Sequence, residues 1–154
     1  MPSIRQPAND KVVRYLARMK GPEDDRPPRP GQRDYWEAGS HPDVVERIWD
    51  QLGKTLPADS RRVVCGTPAL VNPSSKVLIA VAIGTAYAIR LPSVLLGSAA
   101  PPAVRTETVF SGGERLNVRT EFGDDWIFGG YSPDEETWCR QSFDEHASPE
   151  GGAG

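Results

Sequence analysis

Asp124 and Asp125 stand side by side just before Trp126, and adjacent carboxylates of this kind could share chemistry. Two converging carboxylates can ligate a metal ion or divide the roles of acid and base. Neighbours on one strand point to opposite faces, so convergence here would need a turn. Gly123 supplies that turn, and Gly–Asp–Asp is then explained by turn chemistry alone. The run Asp134–Glu135–Glu136 also has a plain explanation: it falls where a helix would begin, and carboxylates favour the positive end of a helix dipole. His41, His146, Cys65 and Cys139 are the whole supply of imidazoles and thiols. No C-x-x-C or H-E-x-x-H spacing joins them. Both histidines fall at helix ends, and Cys65 precedes Gly66 in an apolar run, which suits a buried thiol better than a nucleophile. Gly112–Gly113 and Gly129–Gly130 lack the strand–loop–helix setting that cradles phosphate. The residues therefore predict no catalytic, metal-binding or cofactor-binding site, and no enzyme.

Binding is better represented. Lys11, Arg14 and Arg18 recur at helical spacing and form a basic stripe, continued by Arg26, Arg29 and Arg33. Such a stripe can touch phosphate or an acidic protein surface. Glu23, Asp24 and Asp25 dilute it, and a solvated helix face is the plainer reading. Tyr35–Trp36 interrupts an otherwise polar, proline-rich stretch, so this aromatic pair should dock, on the chain's own core or on a partner. Residues 1–39 hold eight Lys/Arg against six Asp/Glu, whereas residues 40–154 hold ten against fifteen. The net charge of −3 argues against a general nucleic-acid coat; nucleic acid could reach only the N-terminal arm, and another protein is the expected partner.

The elements that would position these residues can be read from periodicity. Hydrophobic residues make up 38% of the chain, and Gly and Pro number 15 each, which suits one ordered core with polar flanks. No apolar run is long enough to span a membrane, and the N-terminus lacks an apolar signal region, so a cytoplasmic protein with unbridged thiols is expected. Residues 1–39 read as an arm. Its helix starts at Asn9 or Asp10 as N-cap and runs to Lys20, with Val12, Tyr15, Leu16 and Met19 on one face, and a Pro-rich linker follows. A helix this short needs something to pack on, either the main domain or a partner. Deleting the arm is expected to leave the main domain folded.

Residues 40–147 read as one α+β domain. A helix from Ser40 or His41 to Leu52 turns Val44, Val45, Ile48, Trp49 and Leu52 inward and Asp43, Glu46, Arg47 and Asp50 outward. Strands follow at Arg62–Val64, Ala69–Asn72, Val77–Ile83 and Ala86–Leu91; the third, apolar on both faces, should be central. Val104–Phe110 and Arg115–Phe122 should form a hairpin, with Leu116, Val118 and Phe122 on one face, before a short strand Trp126–Phe128. A helix from Pro133 to Ala147 should bury Trp138, Cys139, Ser142, Phe143 and His146, and residues 148–154 read as a disordered tail. The fold class is α+β: an antiparallel sheet of about five or six strands flanked by an N-terminal and a C-terminal helix, with an extra N-terminal helical arm.

The order of an amphipathic helix, the segment with Arg62 and Gly66, a hairpin with Ala69–Leu70, and a strand ending Ala88–Leu91 resembles the TfoX N-terminal and MmcQ/YjbR-like α+β domains. The likeness covers about residues 44–92, and more loosely reaches 147. Where that group carries Phe–Gly–Gly, this chain has Val64–Cys65–Gly66–Thr67, followed by Pro68. The resemblance implies a regulatory, non-enzymatic protein and carries over no site residue. Two expectations of function result. One is a small cytoplasmic binding or regulatory module, bacterial by its Arg-, Ala- and Pro-rich composition, with Lys11, Arg14, Arg18, Tyr35, Trp36, Asp124 and Asp125 as contact residues. The other is an acidic immunity- or inhibitor-type protein that occludes a basic enzyme through Asp43, Asp50, Asp124 and Asp125.

Overall fold

The computed structural model describes residues 3–20, 25–28, 41–95, 107–109 and 115–147. An antiparallel five-stranded sheet has the order β1-β2-β3-β4-β7, made by β1 (Arg61–Val64), β2 (Thr67–Val71), β3 (Leu78–Ile83), β4 (Ala86–Arg90) and β7 (Trp126–Phe128). β5 (Glu107–Val109) and β6 (Arg115–Asn117) pair separately. The first four strands form a meander because tight loops join them. Cys65 and Gly66 both adopt positive φ, as a two-residue type I′ loop requires, and Gly84 does so at the β3–β4 turn. β3 is central and buried along its whole length, which is why both of its faces are apolar.

Helices cover both sides of the sheet. On one side α1 (Asp10–Lys20) lays Val12, Val13, Tyr15 and Leu16 against Val64, Val71, Val81 and Ala88, joined by Trp126 and Phe128. The short α3 (Val118–Glu121) adds Val118, with Phe122 just beyond it. On the other side α2 (Pro42–Glu46), its π-helical continuation Arg47–Leu52, and α4 (Asp134–Glu145) cover Val63, Leu70, Ile79, Ile89 and Ile127. The α+β class, a sheet of about five strands and flanking N- and C-terminal helices are thus present.

α1 belongs to this core. Val12 is fully buried, and Asn9 just before the helix carries its side chain inward. Asn9 does not cap α1 with that side chain. Its Nδ2 donates to Ile4 O at 2.9 Å and Lys76 O at 2.8 Å, and its Oδ1 accepts from Leu78 N at 2.9 Å. Removing the arm would therefore uncover one side of the sheet.

Residues 118–121 are helical, where the alternation of Leu116, Val118 and Phe122 predicts strand. The side chain of Asn117 accepts from Thr120 N at 3.1 Å, and this cap starts a helical turn. Val118 and Phe122 are also four residues apart, so both still face the core. At α2 the cap is His41, whose Nδ1 accepts from Asp43 N at 3.1 Å. Ser40, Tyr35, Trp36, the loop 110–114 and the tail 148–154 lie outside the described residues. No helix among the described residues is long and apolar enough to cross a membrane.

Candidate functional site

Between α2 and α4, the side chains of Arg47, Glu135 and Tyr131 meet around the phenol of Tyr87. The alternation of β4 puts Tyr87 on the α2/α4 side of the sheet with Ile89 and Leu91. α2 passes into a π-helical turn at Arg47, marked by the bond from Gly53 N to Ile48 O at 2.9 Å. A Cβ at Gly53 would stand 2.7 Å from Trp49 O, so only glycine closes this turn. Arg47, at the start of this turn, keeps the regular bond from its N–H to Asp43 O, and its side chain is buried. Glu135 enters from the first turn of α4, and Gly129 lets the chain pass over Tyr87: a Cβ there would lie 1.8 Å from the Tyr87 ring.

The polar groups in this cluster satisfy one another. The Tyr87 hydroxyl donates to Glu135 Oε1 and accepts from Arg47 Nε at 3.2 Å and from Tyr131 N at 2.8 Å. Arg47 also donates to Glu135 Oε1 at 3.1 Å, to Ser132 O at 2.7 Å and to Gln51 Oε1 at 3.0 Å. Glu135 Oε2 accepts from Gly130 N at 2.7 Å. Side-chain exposure is 8% for Arg47 and 3% for Glu135, so this is a buried ion pair. A buried pair keeps its charges only when hydrogen bonds satisfy them, which is the case here.

The electrostatics agree with the geometry. Burial and the bond to Glu135 push the Tyr87 phenol well above its ordinary value. Burial opposes the charge of Arg47, but its bonds to Tyr87 and Glu135 outweigh that, and its pKa rises. Tyr87 is thereby held as a neutral phenol beside a carboxylate and a guanidinium. A phenol held this way is a poor base or nucleophile at neutral pH and a good structural clasp.

The clasp presents Tyr131. This residue has φ +60, in the left-handed region that a bulky side chain seldom adopts, and it is 52% exposed. Its backbone N–H is fixed by Tyr87, its ring lies edge-on to the Tyr87 ring with centroids 5.2 Å apart, and the Arg47 guanidinium lies 5.5 Å from its centroid. Partial burial and the nearby carboxylate of Asp43 raise its phenol pKa. Beside it opens a cleft of ≈540 Å³ lined in part by Asp50, Gln51, Lys54, Pro133 and Glu136. Asp43 is exposed and close enough to Tyr131 to raise its phenol pKa, and both Lys54 and Arg47 line the cleft beside the carboxylates of Asp50 and Glu136.

The residues nominated from sequence lie elsewhere or have local roles. Lys11, Arg14 and Arg18 are exposed on α1; Arg14 pairs with Asp10 at 2.7 Å, and Arg18 pairs with Glu121 at 3.4 Å and lies over the Tyr15 ring. Asp124 is exposed, whereas Asp125 accepts from Arg90 Nη1 at 3.0 Å. Arg90 in turn donates to Leu78 O at 2.8 Å and Ala8 O at 2.9 Å and lies over the Trp126 ring, so Asp125 anchors a buried cation that ties the arm to the sheet. Asp43 and Asp50 do stand at the cleft. The helical spacing predicts Arg47 on the outward face, yet it is buried under Tyr87 and Glu135. Beyond Gly–Gly–Tyr next to a helix start, nothing in the sequence marks Arg47, Glu135 or Tyr131 as site residues. Among the described residues no group of three or more His, Cys, Asp or Glu side chains is placed to hold a metal ion. No family model, curated protein or solved structure matches the chain.

Proposed function

We propose that this protein is a non-enzymatic binding module that docks a basic protein surface on the face formed by α2, its π-helical continuation and the start of α4. The observation that carries the reading is Tyr131: a large aromatic residue held half-exposed in a left-handed conformation by a buried ion pair. Backbone strain of this kind persists only where the surroundings over-determine it, and it clusters at functional positions. A rigid tyrosine beside the carboxylates of Asp43, Asp50 and Glu136 has the anatomy of an interface anchor with a charged rim. These carboxylates favour a Lys- or Arg-rich partner. Occlusion of a basic partner enzyme is the form of binding that suits this charge pattern. The α1 stripe suits binding less well, because none of its residues has the strained backbone that singles out Tyr131. The reading places the protein in the cytoplasm, where both cysteines would stay the buried thiols of the fold.

A photo-crosslinking amino acid at position 131 tests this. The expected product is a crosslink to a basic protein, suppressed by high salt. With that partner in hand, Tyr131→Ala should weaken binding about thirtyfold, as loss of a hot-spot anchor does. Asp43→Lys with Glu136→Lys should slow association. Undiminished binding by both variants would exclude this face.

A further inference from the structure

β1 lies at the edge of the sheet, and its outer side is taken by a short segment of the arm, Asp25–Pro28. Val63 N donates to Arg26 O at 2.7 Å, and Arg26 N donates to Val63 O at 2.9 Å. Asp25 anchors this contact. Its Oδ2 accepts from Arg62 Nε at 3.1 Å and meets Arg62 Nη2 at 3.0 Å and Lys76 Nζ at 3.3 Å. Two cations thus converge on one carboxylate oxygen, with Arg62 and Asp25 each only 19% exposed. Lys76 holds φ +65, where glycine is the default residue, so a cation is kept at a backbone position that disfavours it.

The segment is a poor strand. Continuing its antiparallel register sets Pro28 opposite Arg61, and proline has no N–H to extend the ladder. A segment with an ordinary residue there could add a further pair. An edge strand beside two cations is a template for an incoming strand that carries an acidic residue.

We propose that the outer edge of β1 is a strand-addition site for an extended, carboxylate-bearing segment of a partner protein, and that Asp25–Pro28 is its resident, displaceable occupant. The site stands apart from Tyr131 and does not depend on that face being an interface. Arg62 and Lys76 select the carboxylate, and Val63 supplies the backbone bonds.

The test uses the full-length chain carrying Asp25→Ala and Arg26→Pro, which releases the resident segment. The probe is a peptide copying residues 22–31 and carrying Pro28→Val, with binding followed by backbone NMR. The amides of Arg62, Val63 and Lys76 should shift, and the variant should bind at least about tenfold more tightly than the unaltered protein, which must first expel its own segment. A probe that also carries Asp25→Asn should lose about tenfold, the worth of a charge-assisted contact. If the double variant does not fold, Asp25→Asn in the full chain weakens the resident segment without touching its backbone bonds, and the same shifts are expected. No shift at β1, shifts confined to another surface, or self-association of the variant through β1 at the same concentration would each overturn the proposal. The last outcome would make a second copy the occupant.

Discussion

The Tyr87 hydroxyl donates a hydrogen bond to Glu135 while accepting from Arg47 and from Tyr131, so all three hydrogen-bonding positions of its oxygen are filled inside the protein. Ionisation would remove the donor and set an anion against Glu135. Folding therefore favours the neutral phenol, and the folded pKa lies above the unfolded one. The associated stability is fully present below the unfolded value of about 10 and is lost as pH rises beyond it, because the unfolded chain releases its proton first. Burial pushes the Cys139 thiol up as well, and its share begins to fall near the ordinary thiol value of about 8.5. Each group should steepen the alkaline loss of stability by up to about 1.4 kcal/mol per pH unit within its window. Denaturant midpoints from neutral pH to about pH 11 check this: Tyr87→Phe should be less stable at neutrality but flatter above about pH 10, and Cys139→Ala flatter from about pH 8.5. An unchanged slope in Tyr87→Phe would mean that the phenol is not the source. This cluster was hard to read from sequence for a physical reason. A regular helix puts Arg47 on the face of Asp43, and it does stay there, its N–H bonded to Asp43 O; what buries it is the cover that Tyr87, Ser132 and Glu135 bring from distant parts of the chain. Glu135 was hidden because the dipole of α4 already accounts for an acidic first turn.

α1 is fastened at its start by polar bonds and along its length by apolar contact. Asn9 joins Ile4, Lys76 and Leu78, and Arg90 reaches across to Ala8. Asn9→Ala would leave the buried Leu78 N–H without its acceptor and should cost about 1–3 kcal/mol. Leu16→Ala should cost about 2–5 kcal/mol by opening a cavity, while Lys11→Ala on the exposed face should stay within about 0.5 kcal/mol. Urea unfolding of the three variants measures this, and equal stability of all three would detach α1 from the core. Elements of this kind were largely legible. The alternation in β4, the β-branched run of β3 and the Gly84 turn together favour strand over the rival reading of residues 77–91 as helix, and strand is what forms. The apolar stripe of α1 was equally visible, yet a stripe says only that something covers it. Residues 118–122 misled because Val118 and Phe122 satisfy period 2 and period 3.6 alike, and the Asn117 cap decides between them.

At the scale of the molecule, the sheet divides the apolar interior into two compartments. Cys65 lies in the one that α1 closes, and Cys139 in the one that α2 and α4 close. Each compartment thus carries a single thiol, both buried in the native state. These thiols are built-in clocks for the opening of each side. Under native conditions a thiol reagent can reach Cys65 only when its own compartment opens, and Cys139 only when the other does. Mass spectrometry of the labelled chain should therefore report two rates. Asn9→Ala should hasten modification of Cys65 and leave Cys139 nearly unchanged, and Glu135→Gln should do the reverse. If both thiols always react together, the sheet opens as one unit and neither helical layer can leave alone. If they react apart, a partner that grips Tyr131 should slow the Cys139 clock and leave the Cys65 clock running.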